Sequence, residues 1–261
     1  MSNVRRHFSH TALHSLCLQT LGELMLFRFV VPFLVALMAG CSSAPPTLPP
    51  ATTVSVVSLL GNNLKVQQVG VTVFGNRSRG VDVSSWDVDT HVEEAATVAL
   101  NAAGRKATRA PAGSAADIGK WSYTNFTSSY TFAGGAAGLR KVALAANADY
   151  LVLVTEMPSN FSDPFFRTNQ SITGFGVYQR RGGGGIAYAD FGVLLVDGKS
   201  GEVIDRRRTF KSKARPDELW LDLENQQPQV STLGQVPSDF FGVVDAAVKR
   251  GLGYLGMLPR S

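Results

Sequence analysis

Past Cys41 the sequence holds a single histidine, His91, and no further cysteine. That leaves little from which to build a nucleophile–base pair or a zinc site. His91 sits near Asp87 and Asp89, but a triad needs a serine and an orienting carboxylate converging in space, and no G-x-S-x-G elbow is present. Asp82, Asp87, Asp89, Glu93 and Glu94 are spaced unlike any calcium loop. Acids in the first turn of a helix are expected from its dipole. Asp163, Asp190 and Asp197 are the acids that a hydrolase acting on cell-wall glycans would use, and the sequence does not pair them. Gly251-Leu252-Gly253-Tyr254-Leu255-Gly256 fits G-x-G-x-x-G in letters only. It ends a helix, whereas dinucleotide binding needs a strand before the glycines and a helix after them. No catalytic residue, metal or cofactor is expected.

Binding is better represented. Arg206, Arg207, Arg208, Lys211, Lys213 and Arg215 form the densest run of charge in the chain. On a strand they alternate faces and guard an exposed edge, or meet anionic envelope material such as lipid headgroups, peptidoglycan or an acidic protein. Phe165 and Phe166, with Phe161, fall in a proline-marked excursion and are candidate interface anchors. The sequence has 25 basic and 20 acidic residues; setting aside three basic and one acidic before Cys41 leaves 22 and 19, a net of +3. So mild an excess argues against nucleic acid as a partner.

The elements that would position these residues can be read from periodicity. Val54–Leu60 and Leu64–Phe74, separated by Gly61-Asn62-Asn63, read as a hairpin, with a bulge at Gln67-Gln68. Val88, Val92, Ala96, Ala99 and Leu100 share a helical face. Thr90-His91-Val92-Glu93 has capping-box spacing, and Gly104 stops the helix. Arg105–Ala133 reads as loop with a short strand at Trp121–Phe126. A second helix spans Ala136–Asn147 and runs into Tyr150–Thr155, an apolar run suited to a strand covered on both faces. Gly174–Arg180 and Ile186–Val196 pair around a glycine-rich tip, Gly182–Gly185. The turn Asp197–Gly201 returns Glu202–Lys211 antiparallel. The last helix covers Ser238–Leu255. Together these predict an α+β domain, layered as α/β, with a mostly antiparallel or mixed sheet of five to six strands and three helices. Its expected span is 54–258.

The front of the chain says where this domain works. The apolar stretch Phe29–Ala39 is about half the length a bilayer helix needs. It follows Arg28 and ends in small residues, the pattern of a secretory signal. Met38-Ala39-Gly40-Cys41 resembles the lipobox of bacterial lipoproteins. That resemblance implies cleavage between Gly40 and Cys41, a diacylglycerol on the Cys41 sulfur, and an acyl chain such as palmitate on the new amino terminus. Several chains hold a protein on a membrane far more firmly than one. Ser42, rather than an aspartate, implies the outer membrane, facing the periplasm. Residues 1–40 are thus read as signal, with Met25 as an alternative start, and 41–53, rich in proline, as a tether.

GLRKVALAANADYLVLVTE followed by AYADFGVLLVDGKSGEVIDRRR is similar to a pattern in two lipoprotein families. These are the curli-secretion lipoproteins and the activators of penicillin-binding proteins. The resemblance covers Gly138–Arg208 and carries over no catalytic residue. The expectation is a membrane-anchored, non-enzymatic binding or assembly module whose partner is an envelope protein or a peptidoglycan or other glycan, with homo-oligomerisation left open. The alternatives are the acid-based hydrolase and an oligomeric secretion component.

Overall fold

A strand with no polar face, such as Tyr150–Thr155, must be roofed on both sides, and the computed structural model provides both roofs. It describes residues 48–49, 52–69, 77–124, 129–157, 173–180, 185–215 and 236–259. The chain divides into units 1–44 and 45–261, and every described residue lies in the second. In chain order come β1 (Thr53–Leu59), β2 (Asn63–Val69), β3 (Arg77–Asp82) and a 3-10 turn (Ser84–Trp86). Next are α1 (Val88–Ala102), β4 (Lys106–Arg109), α2 (Ser114–Ile118), β5 (Trp121–Thr124), β6 (Ser129–Phe132) and α3 (Gly135–Ala145). β7 (Tyr150–Glu156), β8 (Gly174–Arg180), β9 (Gly185–Asp197), β10 (Val203–Arg215) and α4 (Val236–Tyr254) complete the order. The class is α+β with a large mixed sheet. Eight strands form that sheet, more than the five or six apolar runs visible in the sequence, and β5–β6 make a separate pair.

The sheet is organised around β9. Along one side β10 pairs with it antiparallel over its length. Along the other, β7 covers Phe191–Asp197 and β8 covers Gly185–Asp190. Since each strand has only two sides, β7 and β8 must lie end to end, Glu156 opposite Phe191 and Gly174 opposite Asp190. β1 runs parallel to β7 and β2 parallel to β8, so they repeat the same in-line arrangement. β4 and β3 then close the two flanks.

This corrects the hairpin expected at Gly61-Asn62-Asn63: β1 and β2 do not pair, and the chain continues in one direction through the break. The reason is local chemistry supplied from a distance. The Asp89 carboxylate accepts the Leu60 amide at 2.9 Å, both of its oxygens meet the Gly61 amide, and the Ser58 hydroxyl donates to it at 2.6 Å. The amides freed by the break are thereby satisfied, and Gly61 adopts the positive φ of 69° that the step requires. The β2 register is unbroken through Gln67 and Gln68, so the expected bulge is absent there. An irregularity lies instead between Val203 and Asp205.

One face of the sheet is roofed by α1 and α4. Val88, Val92, Ala96 and Leu100 of α1, with Phe240, Val244, Val248 and Leu252 of α4, bury against Val56, Val152, Val154, Phe191, Val193 and Leu195. The opposite face is roofed by α2 and α3, whose Ile118, Leu139, Val142 and Ala143 bury against Leu151, Leu153, Leu194 and Val196. Each such fully buried Leu or Val contributes about 1.5–3 kcal/mol relative to exposure. α1 begins at Val88, with Asp87 in the left-handed region ahead of it and no side-chain cap. The capping box at Thr90–Glu93 is therefore not formed: both already lie inside the helix, where Thr90 and Glu93 accept from Arg109 and Glu93 also accepts the Ser58 amide. Arg105–Ala133, read as mostly loop, contains β4, α2, β5 and the start of the chain's return through β6. Short elements with few apolar residues leave little periodic trace.

Candidate functional site

β10 places the basic run, and it divides it. Arg207, Lys211 and Lys213 are opposite Val193, Ala189 and Ala187, on the α1–α4 face. Arg206 is opposite Leu194, and Arg208 opposite Gly192, on the other face. Arg207 pairs with Asp205 at 3.0 Å. β10 pairs with β9 alone among the described residues, so it forms an edge of the sheet. Phe165, Phe166, Gly40 and Cys41 lie outside the described residues.

Arg208 reaches diagonally across the β9–β10 ladder to Asp190. Its Nε donates to Asp190 Oδ1 at 2.7 Å, and a second guanidinium nitrogen donates to Oδ2. Asp190 is fully buried, while the Arg208 side chain keeps partial exposure. The fork matches carboxylate geometry on two bonds at once, so burial of the acid is offset by a fixed cation.

A second pair sits where β7 ends and β8 begins. Lys65 Nζ donates to Glu156 Oε2 at 2.8 Å and to the Thr173 hydroxyl at 2.6 Å. It thus ties the end of β7 to the residue just before β8. Between the two pairs lies Tyr188, whose phenol burial pushes far above its usual range, with the charges of Asp190 and Glu156 adding to the effect. Its hydroxyl, and that of Thr155, are buried without a hydrogen-bond partner among the described residues. The result is two carboxylates each held by its own cation around a neutral phenol. Such an arrangement fixes charge in place and is suited to positioning rather than to proton transfer.

The other sequence candidates have local work. Asp197 Oδ1 accepts the amides of Ser200 at 2.7 Å and Lys199 at 3.0 Å. The Ser200 amide bond in particular holds its carboxyl below the usual range. Asp190 and Asp197 are seven residues apart on one strand, hence about 23 Å apart on opposite faces. Paired glycosidase carboxylates stand roughly 5–9.5 Å apart, so these two do not form such a pair. Asp163 lies outside the described residues. His91 Nε2 meets Asp245 Oδ1 at 2.8 Å, and its ring stacks on Phe241 with centroids 3.9 Å apart. This joins α1 to α4.

Asp82 accepts from Ser84, and Glu93 and Glu94 receive Arg109. Among the described residues no group of three His, Cys, Asp or Glu side chains is placed to hold a metal ion. Gly251 faces Val193, which a Cβ would strike, and Gly256 takes a φ of 69° after the helix end. Gly251 thus serves packing and Gly256 termination, while a Cβ on Gly253 would meet open space. Lys65, Glu156, Thr173 and Tyr188 were not singled out from sequence. The signal in the letters is slight: a glutamate ending the otherwise apolar β7, and a lysine inside the mixed strand β2.

No helix among the described residues is long and apolar enough to cross a membrane. No family model matches the chain. No curated protein matches it. Among solved structures it is similar to the PelC dodecamer from Paraburkholderia phytofirmans, at 13% identity and a TM-score of 0.37, covering 84% of this chain and 96% of that one. It is also similar to protein XCC0632 from Xanthomonas campestris, at 10% identity and a TM-score of 0.38, covering 83% and 90%. A third is lipoprotein GNA1162 from Neisseria meningitidis, at 13% identity and a TM-score of 0.28, covering 74% and 96%. At these identities the likenesses assign the chain to no family.

Proposed function

We propose that the chain is an envelope lipoprotein, acylated at Cys41 and facing the periplasm from the outer membrane, whose domain binds another envelope component without catalysing a reaction. The observation that carries this reading is β10: thirteen residues long, at the sheet edge among the described residues, and basic from Arg206 onward. An edge strand presents a row of backbone donors and acceptors to an incoming strand. The excess of basic over acidic residues along it favours an anionic partner, whether an acidic protein or an anionic glycan. The lipobox resemblance and the tether supply the address.

The test is a photo-crosslinking residue at Ser212, introduced into the full chain in its native host. Membrane isolation and mass spectrometry of the adducts follow, beside a Lys211→Glu/Lys213→Glu variant. The expected result is one acidic envelope protein or glycan captured by the wild type and lost from the charge-reversed variant. Adducts no different from background, or unchanged by charge reversal, would overturn binding through β10. An intact mass showing free Cys41 would overturn the anchor.

A further inference from the structure

The large exposed apolar side chains are not scattered. Among the described residues they are Val98, Leu144, Val203, Ile204 and Tyr254, and Val98 and Leu144 are more than two-thirds exposed. Each lies toward the same end of the sheet. Val98 is four residues short of the end of α1, which leads through Gly104 to the start of β4, opposite Thr53. Leu144 is the penultimate residue of α3, which leads to Tyr150, opposite Val54 and Asp197. Val203 and Ile204 open β10 just after the turn at Asp197–Gly201. Tyr254 ends α4. That helix starts over Phe175 and descends past Thr209 to Val193, toward the end of β9.

The chain enters the domain at this end too. Thr53 is fixed by its amide and hydroxyl to the Asp149 carboxylate, both at 2.9 Å. Before it, Leu48 packs against the α1–α4 core. Only six residues then separate Leu48 from Cys41, a reach of about 20 Å in extended form.

We infer that this end of the domain is an interfacial surface that lies on the bilayer holding Cys41, an inference that rests on the acylation proposed above. Separate apolar side chains with a tyrosine, rimmed by exposed Lys106, Lys199 and Arg250, suit the headgroup layer, where apolar groups enter and cations meet lipid phosphates. The acids at this end are Asp149, already bound to Thr53, Asp197, held in its turn, Asp205, paired with Arg207, and Glu202. A short leash makes the orientation definite, because the end that enters the chain is the one kept close to the membrane.

The mature chain has no cysteine besides Cys41, so an introduced thiol takes a label alone. Full chains carrying Leu144→Cys, Ile204→Cys or Ser85→Cys are labelled with a fluorophore, as acylated protein in phosphatidylethanolamine–phosphatidylglycerol vesicles with spin-labelled lipid. Ser85 is exposed beside the start of α1, a helix length away from the end that carries Val98. Labels at 144 and 204 are expected to be quenched several-fold more than the label at 85. Equal quenching at all three positions on protein whose mass shows acylation would overturn this inference alone. A mass showing unmodified Cys41 would overturn the anchor and this surface with it.

Discussion

Tyr188 lies directly across the β8–β9 ladder from Gly176, its hydroxyl 2.8 Å from the point where a Cβ on residue 176 would stand. The Lys65 carbonyl is closer still to that point, so the site accepts no side chain without moving backbone. Gly176→Ala is expected to cost about 2–3 kcal/mol through overpacking. Tyr188→Phe, which removes a hydroxyl with no partner among the described residues, should stay within about 1 kcal/mol of wild type or exceed it. Urea unfolding of both variants is the check, and an unperturbed alanine variant would contradict the packing described.

The buried Asp190 depends on Arg208 for its counter-charge. Arg208→Met strands that carboxylate and is expected to cost about 3–5 kcal/mol. Adding Asp190→Asn to the same chain should recover a good part of the loss, since the amide needs no cation. A double-mutant cycle by chemical denaturation would reveal this as strong coupling; strict additivity would show that the pair does not act as a unit.

Two carboxylates should bend the stability–pH curve in opposite directions. Burial raises Glu93 above its ordinary range, against the bonds from the Ser58 amide and Arg109. A raised acid binds more protons folded than unfolded, so its contribution to stability falls as pH climbs from the ordinary value through the raised one. Asp149 is lowered by the Thr53 amide and hydroxyl, so its contribution is present above the ordinary range and is lost as pH drops through the lowered value. Thermal melts across pH 3–7 (roughly the carboxylate range) should show Glu93→Gln flattening the decline toward neutrality. Asp149→Asn should flatten the acid limb. Unchanged slopes in either variant would count against the corresponding assignment.

His91 ties α1 to α4 by its stack on Phe241 and its contact with Asp245. Both partners keep partial exposure, so His91→Ala is expected to cost only about 1 kcal/mol. Capture by the Ser212 crosslinker should be unaffected. A variant that folds normally yet loses capture would reopen a functional role for this residue.

How much of this was legible follows from the distance between partners. Tyr150–Thr155 shows itself as a doubly covered strand because every residue in it is apolar or small. The β9–β10 hairpin is equally visible, since Asp197-Gly198-Lys199-Ser200-Gly201 is a turn in its own letters. Gly61-Asn62-Asn63 misleads because the same turn chemistry serves a reversal or an in-line break. The choice is made by β7 and β8, about a hundred residues away in sequence, and by the Asp89 side chain. Asp190 stood in the sequence as a free acid. Counting residues outward from the turn at Asp197 would have set Thr209 opposite it; the irregularity between Val203 and Asp205 moves the register by one, to Phe210, and so puts Arg208 on the face of Asp190. Lys65 and Glu156 meet across 91 residues, and no local pattern announces such a meeting.

The end-to-end placement of β7 and β8 along β9 makes that strand a splint across a fracture. Loosening β3 or β4 frays a margin, and cutting the loop between β7 and β8 leaves both halves clamped. A lesion at Asp190–Phe191, where the splint crosses the gap, releases the two halves together. Cooperative unfolding of this domain should therefore be governed by a handful of central residues, with its outer strands breathing independently.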